Sequence, residues 1–478
     1  MALSPQAPQE VSSIDRGKLE NVSLMKVMRH NDGRRAMFAV VPTLTLGIIG
    51  GAVLPLAWAF SVTGVICGVL IMVVVAAANA YTSDLLLRQA YVTNTFDYEN
   101  LASVIGGKWW RVVTEISIVI LMVGSLVGGF VQIGEVGRTG FVAFSSNMPN
   151  WLVGSYGRVI IVAAVVLIVA PLCLVSQLRQ LEYAGIIGTS IVLWLMFSVI
   201  INSISHGLPS LANKQLATVG FSSIGNVTQA VSIFGFAFYI QPIMMPMLLE
   251  VPDGSIGVKV VSYSTRITVL VNAFFIYFFT GFFGAAYYGQ NTSSDILENQ
   301  WLGGGVAQGC LNISMAVYLS LSSPVLEFPT RHTVNGWIPE GFLKGKKSRH
   351  VLVTTLILGV SLALALAFPS SSGEILTATG ATGVCMVSYL IPVVNHLLLH
   401  YNRSTFQKEA LAKVRAANES LHGTDLEVNS GEDSLSYRRD RENHYCWGVT
   451  VEYSRDVVLP LLVLVVGVFC SVSALSTL

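Results

Sequence analysis

The stretch MFAVVPTLTLGIIGGAVLPLAWAFSV, from Met37 to Val62, is apolar enough to cross a lipid bilayer, yet helix-breaking residues interrupt its middle. These residues are Gly47, Gly50, Gly51 and Pro55. In a helix interior each glycine costs about 0.8–1 kcal/mol relative to alanine, and proline costs about 3 kcal/mol. Within hydrocarbon, the freed peptide groups are tolerated only where protein, water or a ligand satisfies them. The stretch therefore predicts a membrane helix that is broken beside a buried polar cavity.

The composition of the whole chain agrees with a membrane location. Hydrophobic residues make up 53% of the 478 residues, charged residues make up 12%, and the mean hydropathy is +0.64. A soluble domain carries about 25% charged residues. Long unbroken apolar runs favour transmembrane helices over barrel strands, which alternate apolar and polar residues. The formal net charge of +1 gives no indication of a nucleic-acid partner.

The apolar runs predict eleven transmembrane helices. We place them at residues 37–62, 64–87, 112–134, 158–175, 183–203, 229–249, 263–288, 306–329, 350–368, 375–400 and 457–476. With the N-terminus in the cytoplasm, 25 of the 28 Lys and Arg residues fall on the cytoplasmic side, and the exceptions are Arg138, Arg158 and Lys214. The positive-inside rule therefore predicts this orientation. The expected host is the plasma membrane or a vacuolar or lysosomal type of endomembrane.

The spans divide the chain into five segments. We predict a cytoplasmic tail at 1–35, a first five-helix unit at 36–203, a second at 229–400, a cytoplasmic loop at 401–455, and an eleventh helix with an exoplasmic end at 456–478. The loop is charge-rich, which is typical of a solvated connector, and a regulatory or partner-binding role is the alternative. Asn291, in the sequence GQNTSSD, is the best-placed glycosylation site because its segment is predicted to be exoplasmic.

A second broken span lies about halfway along the hydrophobic part of the chain. It is FGFAFYIQPIMMPMLLE, from Phe234 to Glu250. Paired interruptions in two halves of a chain indicate the binding site of a secondary transporter. The half-helix N-terminus near Gly50, Gly51 and Ala52 suits a carboxylate, and the carbonyls freed at 238–242 suit an ammonium. A proline kink filled by neighbouring side chains is the alternative for either break alone, and the pairing favours a site for a zwitterion.

Hydroxyl and carboxyl groups within the predicted membrane spans are the remaining candidates for chemistry. Ser320 and Ser323 lie on one face of the eighth span, where hydroxyls suit an alkali cation or simply aid helix packing. Glu327 and Glu135 are costly at membrane depth, so each is a candidate proton carrier or one half of a structural ion pair. The spacing offers Arg331 to Glu327 and Arg138 to Glu135. No cluster of residues has metal-ligand spacing.

Three motifs resemble those of the amino acid/auxin permease family, within the amino acid–polyamine–cation superfamily. The segment FAFYIQPIMMPMLLEV (236–251) is similar to the sixth span of the animal sodium-coupled neutral amino acid transporters of system A/N type. The segment GGAVLPLAWAF (50–60) resembles the first-span pattern Gly-x-Gly-Ile-Leu-x-Leu-x-x-Ala, and LSSPVLEFPTRHTV (321–334) resembles the eighth-span pattern Pro-x-x-x-Phe-Pro-x-Arg. The resemblance implies an all-α, leucine-transporter-type fold with two inverted five-helix repeats and an eleventh helix.

The resemblance also implies the positions of the sites. Substrate contacts would come from the backbone of Gly47, Gly50, Gly51 and Ala52 and from Phe236, Phe238 and Tyr239, and a cation site from carbonyls near Gly47 with Ser320 and Ser323. Two departures put sodium in doubt and leave proton coupling open. Leu46 stands at the family's sodium-associated asparagine, and Gln241 stands at its sixth-span histidine.

Together these features predict a secondary active transporter of small amino acids, coupled to H⁺ or Na⁺ and needing no cofactor. Its partners would be the amino acid and the lipid bilayer, and the sequence says nothing about oligomeric state. The main alternative is an amino-acid-sensing membrane protein that signals through the 401–455 loop. A channel is disfavoured because no continuous polar stripe runs along several spans. An enzyme is disfavoured because no set of nucleophile, acid and base is apparent.

Overall fold

The computed structural model describes ten stretches of the chain, and nearly all of them are helical. They are residues 23–144, 149–153, 156–175, 177–218, 223–252, 254–299, 301–339, 345–368, 372–401 and 457–475. Residues 1–22 of the predicted tail and 402–455 of the predicted cytoplasmic loop lie outside the described residues.

The first predicted span is a broken helix. Helix α1a (Asn31–Ile49) ends at Gly50, a single 3₁₀ turn covers Gly50–Val53, and helix α1b (Leu56–Thr63) follows. Gly50 has φ +37° and ψ −139°, a conformation that residues with a Cβ rarely adopt. The chain therefore breaks within the glycine-rich segment, as the sequence predicts.

The second predicted break is also present. Helix α6a (Ile224–Phe238) and helix α6b (Gln241–Met247) are separated by Tyr239 and Ile240, of which Tyr239 is extended with φ −67° and ψ 138°. Proline occupies the first turn of α6b, where its missing N–H costs no helical hydrogen bond. The unwound peptides are therefore confined to two residues.

The other predicted spans each coincide with a helix. These are α2 (Val65–Thr93), α3 (Tyr98–Phe144), α4 (Gly157–Cys173), α5 (Glu182–Ser205), α7 (Ser255–Ile267 and Phe274–Tyr288, joined by a π-helical turn at Thr268–Ala273), α8 (Gly305–Trp337), α9 (Lys346–Ala367), α10 (Ser372–Tyr401, π-helical over Gly380–Leu390) and α11 (Leu459–Leu475). Short helical turns lie at Leu24–Arg29, Asn150–Val153, Leu178–Leu181, Pro209–Ala212, Gly289–Asn291 and Ile296–Glu298. Within the described part of the chain, nine helical segments are long and apolar enough to span a bilayer, and two shorter apolar helices, Gly157–Cys173 and Leu459–Phe469, bring the number to the predicted eleven.

The structure differs from the sequence-based boundaries mainly in α3. The prediction began this span at residue 112, whereas α3 starts at Tyr98 and runs through a kink at Gly107, which has φ +82°. Hydropathy missed the first turns because they carry polar and charged residues. The π-helical segments in α7 and α10 also have no hydropathy signal.

Helix packing places the two broken helices at the centre of the bundle. The pair α3 and α8 makes the most extensive contact, α1a packs on α5 and α7, and α6a packs on α1b. Helix α11 covers α6a and the π-helical part of α10 from outside. Of the most apolar residues of each helix, 78% are buried within the bundle in α1 and 89% in α6, compared with 33% in α9. The unwound peptides are therefore shielded from lipid by the other helices.

Gly185 tests how closely α5 approaches α1a. A Cβ at Gly185 would lie 2.5 Å from the Pro42 carbonyl oxygen, and backbone cannot move aside as a flexible side chain does. We expect Gly185→Ala to destabilise the protein by about 1–3 kcal/mol through overpacking, measured as a lower Tm of the purified chain in detergent. Gly359→Ala in α9 is the control, since a Cβ there meets no atom within 4 Å and alanine favours the helix. An unchanged Tm for Gly185→Ala would contradict this packing.

Candidate functional site

A small cavity lies between the two helix breaks. Its lining comes from α1, α3, α6, α8 and α10, namely Gly47, Ile48, Gly50, Gly51, Ala52, Ser125, Gly129, Phe236, Tyr239, Leu326 and Leu376. The cavity volume is about 10 Å³, which corresponds to roughly one water-sized group. A larger ligand therefore requires α1 or α6 to move.

Most of the substrate contacts that the sequence predicts surround this cavity. Gly47, Gly50, Gly51, Ala52, Phe236 and Tyr239 all line it. Phe238 is absent from the lining, because its fully buried ring packs edge-on against Tyr277, with the ring centroids 5.1 Å apart. Phe236 and Phe238 both belong to α6a, and residues two apart on a helix point to nearly opposite sides, so the two rings do not face the cavity together.

Tyr277 of α7 connects the two breaks directly. Its hydroxyl lies 2.8 Å from the Ile48 carbonyl oxygen and 2.8 Å from the Ala237 carbonyl oxygen, and the residue is fully buried. Both carbonyls belong to the last turn of a half-helix, where no further helical N–H is available to them. One side chain thus holds α1a and α6a at a fixed separation beside the cavity.

Gln132 of α3 contacts the break in α1 from the other side. Its Nε2 donates to the Gly51 carbonyl oxygen at 3.1 Å, and its buried Oε1 has no hydrogen-bond partner among the described residues. A Cβ at position 51 would lie 1.9 Å from that Oε1, so only glycine leaves room for the amide. Gln132 therefore places a buried acceptor beside the break, outside the cavity lining.

Gln241 joins the break in α6 to α2 and α10. Its Oε1 accepts from the Ile240 backbone N–H at 3.0 Å and from the Ser388 hydroxyl at 2.6 Å, and its Nε2 donates to the Thr82 hydroxyl at 3.1 Å. The Asn79 side chain lies next to this group, with its Oδ1 3.4 Å from the same Nε2. The amide that replaces the family's histidine therefore holds the unwound peptide through hydrogen bonds to amide, hydroxyl and backbone groups.

Tyr239 shows how the break in α6 reaches α3. Its hydroxyl donates to the Ser125 hydroxyl at 3.0 Å, and its ring lies 5.2 Å from that of Phe236. All three residues line the cavity. The sequence identified the two aromatic residues, whereas Ser125 carried no signal that would separate it from other small residues of α3.

The residues predicted for a cation site contact groups of their own helix or apolar side chains in this structure. The hydroxyl of Ser320 donates to the Ala316 carbonyl oxygen at 2.6 Å, and that of Ser323 donates to the Leu319 carbonyl oxygen at 3.0 Å. Each hydroxyl oxygen keeps lone pairs for a cation. A Cβ on Gly47 would meet the Val325 side chain at 2.7 Å, so an apolar side chain of α8 faces this part of α1a.

Glu327 and Arg331 form a buried ion pair within α8. Arg331 Nη1 lies 2.9 Å from Glu327 Oε2, and the Thr354 hydroxyl of α9 donates to Oε1 at 3.0 Å. The arginine also donates to the Val175 carbonyl oxygen at 2.8 Å and to the Cys173 carbonyl oxygen. Both carboxylate oxygens are therefore satisfied, and the group joins α8, α9 and the end of α4.

Glu135 has a partner that the sequence did not suggest. Spacing along α3 pointed to Arg138, whereas the structure pairs Glu135 Oε1 with Arg158 of α4 at 2.7 Å. The Ser372 hydroxyl at the start of α10 donates to Oε2 at 3.2 Å. Glu135 consequently joins α3, α4 and α10 at one end of the bundle.

Among the described residues, one group has the composition of a metal site. Asp97, Glu99 and His332 bring a ligand atom each within 4.8 Å of one another, although sequence spacing gave no sign of the group. His332 Nδ1 lies 3.8 Å from an oxygen of each carboxylate and its side chain is 54% exposed. Pairs this exposed contribute about 0–1 kcal/mol.

The geometry of the site matches a known architecture. Two helices broken at mid-length, facing each other across a small cavity inside a bundle of membrane-length helices, are typical of secondary transporters with inverted repeats. The profile of the family described as transmembrane amino acid transporter protein matches residues 34–416. The chain belongs to this family, as the three motifs predicted.

Individual relatives are distant. Solute carrier family 38 member 10 of Homo sapiens is 21% identical over 380 residues, covering 77% of this chain, and the match spans only 33% of the human protein. Amino acid transporter AVT6E of Arabidopsis thaliana is 25% identical over 390 residues, covering 76% of each chain.

A solved structure shares the fold. The structure of MhsT in complex with L-phenylalanine superposes with a TM-score of 0.57 at 12% identity, covering 91% of this chain and 98% of MhsT. The predicted leucine-transporter-type fold is thereby confirmed.

Tyr277→Phe tests whether the bridging hydroxyl serves the site. We expect amino acid uptake to fall at least about tenfold, because two carbonyls beside the cavity lose their shared partner, with a stability loss of about 1–3 kcal/mol. Tyr98→Phe is the control, since it removes another buried hydroxyl, 2.5 Å from the Val387 carbonyl oxygen and away from the cavity lining. Equal uptake by the two variants would contradict the role of Tyr277.

Glu327→Gln tests the buried ion pair. The variant leaves the Arg331 cation buried without its counter-charge, so we expect a loss of about 3–5 kcal/mol, measured by unfolding in detergent. Asp84→Asn removes the partner of the 45% exposed Arg266 and is expected to cost about 0–1 kcal/mol. A double variant, Glu327→Gln with Arg331→Met, should recover part of the loss. Equal stability of Glu327→Gln and Asp84→Asn would count against a structural pair.

Proposed function

We propose that this protein is a secondary active transporter of small neutral amino acids, driven by a cation gradient and working by alternating access. The amino acid would bind at the cavity between α1 and α6, with its carboxylate at the N–H groups of Gly51 and Ala52 and its ammonium at freed carbonyls such as those of α6a. The side chain of the substrate would face Phe236 and Leu376, whose bulk leaves little space.

The observation that carries this proposal is the junction of both breaks at Tyr277. Unwound peptides from two helices lie together, and one hydroxyl contacts a carbonyl oxygen of each at 2.8 Å. Backbone groups recognise the part that all α-amino acids share, so this arrangement suits a zwitterion. Family membership and the name of the plant relative support the same class of substrate.

The cation would stabilise the unwound part of α1. Carbonyls near Gly47 and the lone pairs of Ser320 and Ser323 are oxygen ligands of the kind that Na⁺ prefers, and in this conformation Val325 faces Gly47. We therefore propose that these groups come together only when α1 and α8 shift. Arg331 and Thr354 satisfy the carboxylate oxygens of Glu327, and Arg158 and Ser372 satisfy those of Glu135. Each carboxylate would therefore have to leave an ion pair before it could carry a proton.

Uptake into proteoliposomes tests the proposal. The purified full chain is reconstituted, and radiolabelled amino acids graded from glycine to tryptophan are offered with an inward Na⁺ gradient, an inward H⁺ gradient, or neither. We expect accumulation of small neutral amino acids above empty liposomes in one gradient arm, abolished by an ionophore for that ion. Accumulation without a gradient would overturn cation coupling, and no accumulation in any arm would overturn transport.

A further inference from the structure

The described part of the connection between α7 and α8, residues 289–299 and 301–304, folds against the break in α1. The backbone N–H of Ile296 donates to the Leu54 carbonyl oxygen at 3.1 Å, and Leu54 lies between α1a and α1b. Trp301, in the same connection, is fully buried and its Nε1 donates to the Ile296 carbonyl oxygen at 2.6 Å. We call residues 289–299 and 301–304 the α7–α8 cap, since they contact Leu54, two residues beyond the cavity-lining part of α1.

Asp295 lies inside the α7–α8 cap, and within the described part of the chain no ion pair is formed by its carboxylate. Only 1% of the residue is exposed. Its Oδ1 accepts from the Leu297 backbone N–H at 2.8 Å, whereas its buried Oδ2 has no hydrogen-bond partner among the described residues. A buried, ionised carboxylate with one free oxygen is costly, because nothing replaces the water that it loses.

The charged groups around Asp295 do not offset the free-energy cost of burying its ionised carboxylate. Helix α3 presents Glu135, which is paired with Arg158, and exposes Arg138, while α1b carries no charged residue. The cap itself adds Glu298, and the first turn of α10 adds Glu374. Burial, with smaller contributions from Glu135 and Glu298, raises the pKa of Asp295 to about 8, and the Leu297 N–H only partly opposes this.

We propose that Asp295 is a proton-binding site whose protonation holds the α7–α8 cap closed on the break in α1. The neutral acid costs less to bury than the carboxylate and keeps the Leu297 contact through Oδ1. Loss of the proton places an uncompensated charge in the closed cap, and the cap opens so that the carboxylate reaches water. Acidification of this side of the protein therefore favours the closed form.

The pH range follows from linkage. A carboxyl group with an ordinary pKa near 4 in the open form and about 8 in the closed form stabilises closure fully at low pH. This stabilisation is lost as the pH rises between these values, by up to about tenfold in the closed-to-open ratio for each pH unit. In terms of the proposed function, on which this consequence rests, acid on that side would restrict access to the cavity from there.

Hydrogen–deuterium exchange of the full chain in lipid nanodiscs tests the proposal without requiring transport. The reporter is the Ile296 amide, which the closed cap protects through Leu54. After correction for intrinsic exchange, we expect its protection to fall by close to tenfold per unit as the pH rises from about 5 to about 7. Protection that does not change with pH in the unmodified protein would overturn the proposal, whatever the uptake measurements give.

Two variants separate the proton on Asp295 from other pH effects. Asp295→Asn keeps the Oδ1 acceptor and mimics the neutral acid, so the Ile296 amide should stay protected at every pH. Glu298→Gln removes a neighbouring charge and keeps the titrating group, so the pH dependence should remain and move to lower pH. Retention of the original pH dependence in Asp295→Asn, or its disappearance in Glu298→Gln, would each overturn the proposal.

Discussion

Every peptide group in the interior of a bilayer needs a hydrogen-bond partner within the protein. In α1 and α6, the breaks at mid-length interrupt the hydrogen bonds that a continuous helix would supply. Side chains from other helices supply the missing hydrogen bonds. Tyr277 of α7 and Gln132 of α3 contact the break in α1, and Gln241 at the break in α6 is hydrogen-bonded to α2 and α10. The long α3–α8 pair and the packing of α7 on α1 thus do more than fill space, because they carry or support the groups that stabilise the unwound backbone.

The sequence predicts those features that depend on the helix propensity and hydropathy of neighbouring residues along the chain. Gly50, Gly51 and Pro242 lie at the two breaks, and because glycine and proline are unfavourable in a helix interior, both interruptions are visible in the sequence without knowing the neighbours. Hydropathy likewise indicates where eleven segments cross the membrane. Together these signals predict the two breaks, whereas the leucine-transporter-type fold and the substrate contacts of Phe236 and Tyr239 were predicted from the resemblance to the amino acid/auxin permease family.

The partners of the breaks were not predictable in the same way. Tyr277 lies in the run FFIYFF, where nothing in the sequence distinguishes a bridging hydroxyl from ordinary aromatic packing. Arg158 reaches Glu135 from a different helix, whereas spacing rules consider one helix at a time. Phe236 and Phe238 lie two apart on α6a and so point to nearly opposite sides, and which of them is turned toward the cavity depends on how α6a is packed. These contacts depend on the tertiary arrangement, which a local pattern does not contain.

The phenol of Tyr277 has a single hydrogen, and two carbonyl oxygens lie equally close to it. At any instant the hydroxyl donates to one of the two oxygens, and the other oxygen is left without this donor. If the half-helices part, the hydrogen remains with the oxygen still in reach, and the other becomes free for water or for the ammonium of a bound molecule. When α1a separates from α6a, the Tyr277 hydroxyl can therefore keep one hydrogen bond throughout, because it donates to whichever of the two carbonyl oxygens stays close.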